Sequence, residues 1–211
     1  MNGIERESSL PREKYLEDAY FTPQQMSSLM EQFMRIRIMR PETILEVGLG
    51  NGMLAAMLRQ IGIKVTTVDV NPNLEPDIVS DIKSLPLKLT SKFDIVVCCE
   101  VLEHIRFDEF EENIRIFKSL SNNLFLTLPF DAKHFGFAGI LRLPKKGTRE
   151  IGFWWRTKIT KKIPSEHFWE IGHSLETSKK NIKAIITKFY PSVEVTHFKM
   201  NPYHTCFLCQ G

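Results

Sequence analysis

Ile44-Leu45-Glu46-Val47-Gly48-Leu49-Gly50-Asn51-Gly52 is the stretch that decides the fold. A short β-type run enters closely spaced glycines, and MLAAMLRQI, rich in strong helix formers, follows from Met53. Glycine has no Cβ, so such a turn can bend sharply and lie close to a ligand. The helix it opens presents free N–H groups. Working outward, KVTTVDV (64–70), DIVSD (77–81), FDIVVCC (93–99) and NLFLTL (123–128) read as strands, and 108–119 as a helix. FDIVVCC is continuously apolar, as suits a strand covered on both faces. Strands alternating with helices imply a mostly parallel α/β sheet.

The flanks follow the same logic. Apolar residues at three- and four-residue spacing make 23–39 an amphipathic helix, with Thr22 as cap and Pro23 in its first turn. Residues 131–173 read as irregular, and 174–189 as a helix capped by Ser174. Runs at 192–199 and 203–208, separated by Asn201-Pro202, suggest an antiparallel hairpin closing the sheet. No linker divides the chain. One domain is expected: a helical cap (1–40), a ligand-binding core (41–130), a substrate-covering insertion (131–173) and a closing helix and hairpin (174–211).

Composition removes several classes. The 211 residues carry 28 Lys+Arg against 25 Asp+Glu, with 43% hydrophobic residues. That is ordinary for a soluble globular domain and too apolar for disorder. Four cysteines, two of them the adjacent Cys98 and Cys99, do not make a disulfide scaffold. No run reaches the roughly 18–20 apolar residues of a membrane span. The first 20 residues mix both charges without an apolar segment, unlike a secretory signal. A reduced, cytoplasmic protein is the expectation.

Dinucleotides and S-adenosylmethionine are the two ligand classes that use a glycine-rich βα turn of this kind. The dinucleotide fingerprint spaces its glycines G-x-G-x-x-G, whereas here the spacing is G-x-G-x-G, with Met53 at the position of the third. With Glu46 two residues before Gly48, the segment resembles the first motif of the class I S-adenosylmethionine-dependent methyltransferases. Downstream features extend the resemblance. Asp69 ends the second strand about 20 residues on, where a carboxylate suits ribose hydroxyls. Asp81-Ile82 and Leu85-Pro86-Leu87 follow, then the fourth-strand run into Cys99-Glu100-Val101-Leu102-Glu103-His104. Glycines, Asp69, Asp81 and Glu100 all fall at carboxyl ends of successive strands, the rim where open α/β sheets bind ligands.

The resemblance is specific over roughly 41–130. It implies a three-layer, Rossmann-like fold with a seven-stranded, mostly parallel sheet and an antiparallel last strand. It also implies S-adenosylmethionine as methyl donor. Glu46, Gly48 and Gly50 would hold its methionine part, Asp69 and Val70 its ribose, and Asp81 and Ile82 its adenine. Glu100 would lie by the transferred methyl, with His104 and His167 toward the acceptor.

Glu100, Glu103 and His104 carry a further pattern, E-x-x-E-H. It is similar to ubiquinone-biosynthesis-type O-methyltransferases and to small-RNA 2′-O-methyltransferases. There two Glu, a His and a distant His can hold a divalent cation; here the distant residue would be His167. A pocket role without metal is the alternative.

His204, Cys206 and Cys209 suggest zinc at first sight. On a strand, residues three apart face opposite ways, so Cys206 and Cys209 read as core residues.

Residues 142–162 hold eight Lys or Arg against Glu150 alone, with Phe153, Trp154 and Trp155 among them. The segment suits an anionic small substrate, single-stranded nucleic acid or a membrane surface; a solvated loop packed through its Trp residues is the alternative. A small-molecule acceptor is the expected partner. Two rival functions stay open: a non-catalytic nucleotide-binding module and a nicotinamide-dependent oxidoreductase.

Overall fold

A computed structural model describes residues 3–131, 133–144, 147–156 and 163–211. The strands of the core are β1 (Thr43–Val47), β2 (Lys64–Asp69), β3 (Ile78–Val79), β4 (Ile95–Cys99) and β5 (Asn123–Pro129). β6 (His134–Leu143) and β7 (Gly147–Arg156) form a separate ribbon, and β8 (Ser192–His197) and β9 (His204–Gln210) close the sheet. The main sheet has seven strands in the order β3-β2-β1-β4-β5-β9-β8. β1 to β5 pair in parallel, and β9 runs antiparallel to both β5 and β8. The fold is the Rossmann-like one expected.

Side-chain alternation with period two builds two cores. Ile44, Val65, Ile95, Val97, Phe125 and Cys206 face one side, where α2 (Pro23–Ile38) and α3 (Met53–Gln60) supply Ile36, Leu54 and Leu58. Leu45, Val68, Val96, Cys98, Leu124, Leu126 and Cys209 face the other, against α4 (Leu85–Lys88), α5 (Phe110–Leu120) and α6 (Lys179–Thr187). Cys206 and Cys209 thus belong to opposite cores and all four cysteines are free thiols.

Local chemistry sets the helix ends. Thr22 accepts a hydrogen bond from Gln25 N at 3.3 Å, with Pro23 in the first turn of α2. α6 starts later than the sequence suggests. Ser178 is its cap, accepting from Asn181 N at 3.4 Å, while Ser174 closes a local turn with Thr177. The third strand is also shorter than expected. It stops at Val79, and Asp81 sits in the following turn, accepting from Ser84 N at 2.8 Å.

The larger departure is at 131–173, which is not irregular throughout. His134–Leu143 and Gly147–Arg156 form a long antiparallel ribbon. Its strand pattern is diluted in the sequence by Gly136, Gly139 and Gly152, which lack a side chain to show alternation. Before the sheet, α1 (Gly3–Ser8) and two 3-10 turns (Arg12–Leu16, Asp18–Phe21) form an N-terminal segment. Among the described residues, no helix is long and apolar enough to cross a membrane.

Candidate active site

The carboxyl ends of β1, β2 and β4 open onto one cavity of about 790 Å³. All residues singled out from the sequence border it: Glu46, Gly48, Gly50, Asp69, Val70, Asp81, Ile82, Glu100, Glu103, His104 and His167. Parallel strands align their carboxyl ends, so residues far apart in sequence arrive on one rim.

The β1–α3 turn forms the cradle. Gly48, Gly50 and Gly52 all have positive φ, at 87°, 54° and 75°. At Gly48 a Cβ would also come 2.2 Å from Val101 Cγ2, whereas at Gly50 it would meet nothing within 4 Å. The loop is therefore pinned on one side and open on the other. Asp69 holds its shape: one carboxyl oxygen accepts from Leu49 N at 2.7 Å and the other from Asn71 N at 2.8 Å. Burial raises the Asp69 pKa above its ordinary value, and these amide donors oppose the shift.

Glu46 is buried at the end of the cradle, and its Oε2 has no hydrogen-bond partner. Burial pushes its pKa up to about 8. A buried, partnerless carboxyl aimed into a cavity asks for a cationic or donor group. With the glycine cradle and the amide end of α3, these residues fit the amino-acid part of S-adenosylmethionine. Asp69 at the end of β2 and Asp81 in the turn after β3 fit its nucleoside.

The far side of the cavity holds a second cluster. His167 Nδ1 lies 2.8 Å from Glu170 Oε1, and the same oxygen accepts from the Tyr203 hydroxyl at 2.5 Å. His104 meets His167 edge to face with ring centroids 4.9 Å apart. Its Nδ1 is 3.0 Å from Glu166 O, and burial pushes its pKa down, favouring the neutral ring. Glu103 is buried with neither carboxyl oxygen partnered, and burial, with Glu100 close by, raises its pKa well above the carboxylate range.

Glu103, His104 and His167 bring one donor atom each within 4.8 Å of one another. Glu100, expected as a fourth ligand, stands outside that group. Its Oε2 is instead 3.5 Å from His204 Nε2, and its φ of 55° turns the chain away from β4. Glu100 precedes the single 3-10 turn Leu102–His104, so the E-x-x-E-H residues do not stand at the helical spacing expected.

The described part of the ribbon does not supply the cover expected of it over the cavity. Among the described residues of 134–156, none lines it; the ribbon packs instead on Lys199, His197 and Phe130. Lys145, Lys146, Lys158, Lys161 and Lys162 lie outside the described residues. Among the described residues of the insertion, Pro164, Glu166 and His167 reach the cavity. The N-terminal segment does most of the covering, with Ile4, Arg6, Glu7, Leu10, Tyr15 and Tyr20 on the wall. Arg6 donates to Ser165 O at 3.2 Å and to Glu166 O at 2.5 Å, while Asn71 Nδ2 donates to Leu10 O at 2.9 Å. Gly3 packs so closely that a Cβ would lie 2.1 Å from His104 O.

Arg6, Glu170 and Tyr203 escaped the sequence reading, and His204 entered it only through the discarded zinc pattern. For Glu170, its i+3 spacing from His167 was an available signal; for Arg6, whose contacts lie about 160 positions away, there was none.

Comparison with known proteins agrees with the geometry. A family model described as "Methyltransferase domain" matches residues 19–171. The ubiquinone biosynthesis O-methyltransferase of Xanthomonas oryzae pv. oryzae (strain PXO99A) is 32% identical over 76 residues, 29% of this chain and 32% of that protein. The chain thus matches about a third of the length of that curated relative. Among solved structures, the N-methyltransferase NodS from Bradyrhizobium japonicum WM9, in complex with S-adenosylhomocysteine, superimposes with TM-score 0.59 at 13% identity. It covers 100% of this chain and 99% of that one. Magnesium protoporphyrin IX methyltransferase from Synechocystis PCC 6803 with bound S-adenosylmethionine gives 0.52 at 17% identity over 88% and 77%. At such identities the likeness concerns the fold. With the cradle and strand-end acids in place, the family match sets the nicotinamide reading aside: the chain belongs to the methyltransferase-domain family, among the class I S-adenosylmethionine-dependent methyltransferases.

Proposed function

We propose that the protein transfers a methyl group to an oxygen or nitrogen of a small-molecule acceptor, with the His167–Glu170 pair as its base. The observation that carries this reading is the shared cavity: partnerless Glu46 in the glycine cradle, and His167 held by Glu170 on the other side. S-adenosylmethionine, when bound, supplies an electrophilic methyl on a sulfonium that leaves as a neutral thioether.

The chain's own residues do the rest. Glu46 takes the donor's ammonium, and the amides of Gly50 and Asn51 take its carboxylate, the Leu49 amide being held by Asp69. Asp69, with Val70 alongside, accepts from the ribose hydroxyls; Asp81 and Ile82 border the adenine. Glu100 lies beside the reacting methyl. Glu170 accepts the Nδ1 proton of His167, which leaves Nε2 as the free base. That nitrogen removes the acceptor's proton as the new C–O or C–N bond forms and the C–S bond breaks. Neutral His104 shares that wall without repelling the imidazolium formed. Much of the rate comes from holding the two partners in line. A small acceptor is supported by the names of the neighbours, among them an amino pentose methyltransferase from Micromonospora echinaspora. An oxygen acceptor is supported by the ubiquinone O-methyltransferase.

The partnerless oxygens of Glu103 favour a second reading of the same wall. Glu103, His104 and His167 are a donor set suited to Mg²⁺, Mn²⁺ or Zn²⁺. Such a cation would act as a Lewis acid on the acceptor oxygen. Calorimetry with S-adenosylhomocysteine tests the donor site. Micromolar binding that Asp69→Ala weakens at least about tenfold supports it, and no binding at millimolar ligand refutes it. Binding without turnover across phenolic, sugar and amine acceptors would favour a non-catalytic module.

A further inference from the structure

The ribbon β6–β7 has two unlike faces. On one, Gly136 pairs with Trp154 and His134 with Arg156. This face is fixed to the body. Trp154 Nε1 donates to Lys199 O at 2.7 Å, and the Arg156 guanidinium lies 4.0 Å from the centre of the Phe130 ring. On the other, the register pairs Phe135 with Trp155, Phe137 with Phe153, and Gly139 with Ile151. Those side chains are in water: Phe135 is 72% exposed, Phe137 59%, Phe153 61% and Trp155 53%. Their rings touch one another in a continuous ladder, with Phe153 and Trp155 centroids 5.5 Å apart and Phe137 and Phe153 6.2 Å apart and nearly parallel.

A contiguous apolar face on a two-stranded ribbon is costly in water unless something covers it. Charge identifies the cover. The ladder carries no ionisable residue until Arg149, near the turn; Arg142, also exposed there, alternates onto the opposite face. The sequence from 142 to 162 holds eight Lys or Arg and one acid. A second copy seated on this face would bring two strongly cationic segments together, and like charges repel. Single-stranded nucleic acid needs open ring faces with cations running alongside. Here the rings lean on each other, and the one cation among the described residues of this face, Arg149, stands at its end. An anionic bilayer meets both features at once. Aromatic and aliphatic side chains enter the boundary between headgroups and acyl chains, and cations meet lipid phosphates.

We propose that the exposed face of the β6–β7 ribbon docks on an anionic lipid surface, with Phe135, Phe137, Ile151, Phe153 and Trp155 at the acyl boundary and Arg149 on the phosphates. The ribbon starts five residues after β5 ends, and Pro129 pairs with His204, which lines the cavity. Docking therefore brings the rim of the cavity near the membrane. The inference does not depend on which acceptor the site takes, or on catalysis.

Co-flotation of the full chain with vesicles tests it directly. Vesicles of phosphatidylglycerol and phosphatidylcholine in equal parts should carry the protein; phosphatidylcholine alone should not. Raised salt should weaken the association. Phe137→Ser/Phe153→Ser should lose at least about tenfold in vesicle affinity while its unassisted thermal midpoint stays that of a folded domain. Trp155→Phe, which keeps an apolar ring, guards against misfolding of the double variant. It should still float, but with a smaller blue shift of tryptophan emission on binding than the unchanged protein. Flotation indifferent to lipid charge, or unaffected by the double variant, overturns the proposal. So does a dimer in light scattering that the double variant dissolves, or binding to single-stranded oligonucleotides with none to vesicles.

Discussion

The imidazole of His167 and the buried carboxyl of Glu170 meet at 2.8 Å, three residues apart and outside any helix. Tyr203 fixes the same carboxyl oxygen from β9's approach, so the orientation of the ring is set from two directions. Glu170→Gln keeps the shape and loses the full negative partner. Expected is a fall in kcat of about 10²-fold, in the range of a lost general base. The KM for S-adenosylmethionine should stay nearly unchanged. His167→Ala should cost about the same, and the double variant little more, because the two act as a unit. A change confined to KM would remove the pair from the chemistry.

Glu46 makes a prediction in pH. Its ordinary pKa is 4.5 and the folded, ligand-free value is about 8. Across that window the native state keeps a proton that the unfolded chain releases. Ligand-free stability therefore falls as pH rises from about 4.5 and levels off above about 8. Glu46→Gln removes this slope and should raise the thermal midpoint at about pH 8. Binding of S-adenosylhomocysteine should strengthen between about pH 6 and about pH 8 in the unchanged protein, and stay flat and at least about tenfold weaker in the variant. Parallel profiles for both proteins would separate Glu46 from the ligand's ammonium.

Asp69 serves the loop and the ligand together. Asp69→Ala strands the Leu49 and Asn71 amides and should lower the thermal midpoint by several degrees. Ligand affinity should drop roughly 10- to 100-fold, as for lost hydrogen bonds to a charged group. Asp69→Asn, which retains an acceptor, should recover part of the stability and less of the affinity. Differential scanning fluorimetry with and without S-adenosylhomocysteine separates the two effects.

For the Glu103, His104 and His167 cluster, dialysis against a chelator is expected to leave the thermal midpoint and turnover unchanged. The proton on buried Glu103 then does what a cation would otherwise do. A fall in either quantity, with one equivalent of metal found by elemental analysis, hands the cluster to a divalent ion, because an ion bound only by the native state stabilises it.

Arg6 fastens the N-terminal segment over the cavity. Arg6→Ala should raise the KM for S-adenosylmethionine by about tenfold, matching the loss of hydrogen bonds made by a charged donor. It should also speed proteolysis within residues 3–21, and bound S-adenosylhomocysteine should slow that proteolysis again. Unaltered cleavage and KM would show that the segment stays shut without it.

What the sequence revealed has a physical boundary. The donor side of the proposed site is local in sequence: Gly48 and Gly50 follow a strand directly, Asp69 ends β2, and Asp81 lies two residues past β3. The acceptor side depends on packing between distant segments. Arg6 reaches Glu166, and Tyr203 reaches Glu170, through contacts no period or spacing announces. The ribbon was missed for another reason. With Gly136, Gly139 and Gly152 in it, and its apolar face turned to water, it lacks the inward alternation by which strands are recognised. The cap of α6 was displaced by four residues because Ser174 and Ser178 are equally able caps, and Ser174 is used by the turn before it.

Glu100 shows what the site withholds from the fold. Its φ of 55° lies where only glycine and, at some cost, asparagine or aspartate are at ease, and its Oε1 is buried without a partner. Selection for a durable scaffold alone would place glycine there. Glu100→Gly should accordingly melt higher than the unchanged protein by about 1 kcal/mol of stability while turning over more slowly. In a screen for thermostable variants this position would be among the first to change, and an enzyme improved by that measure would be the poorer catalyst.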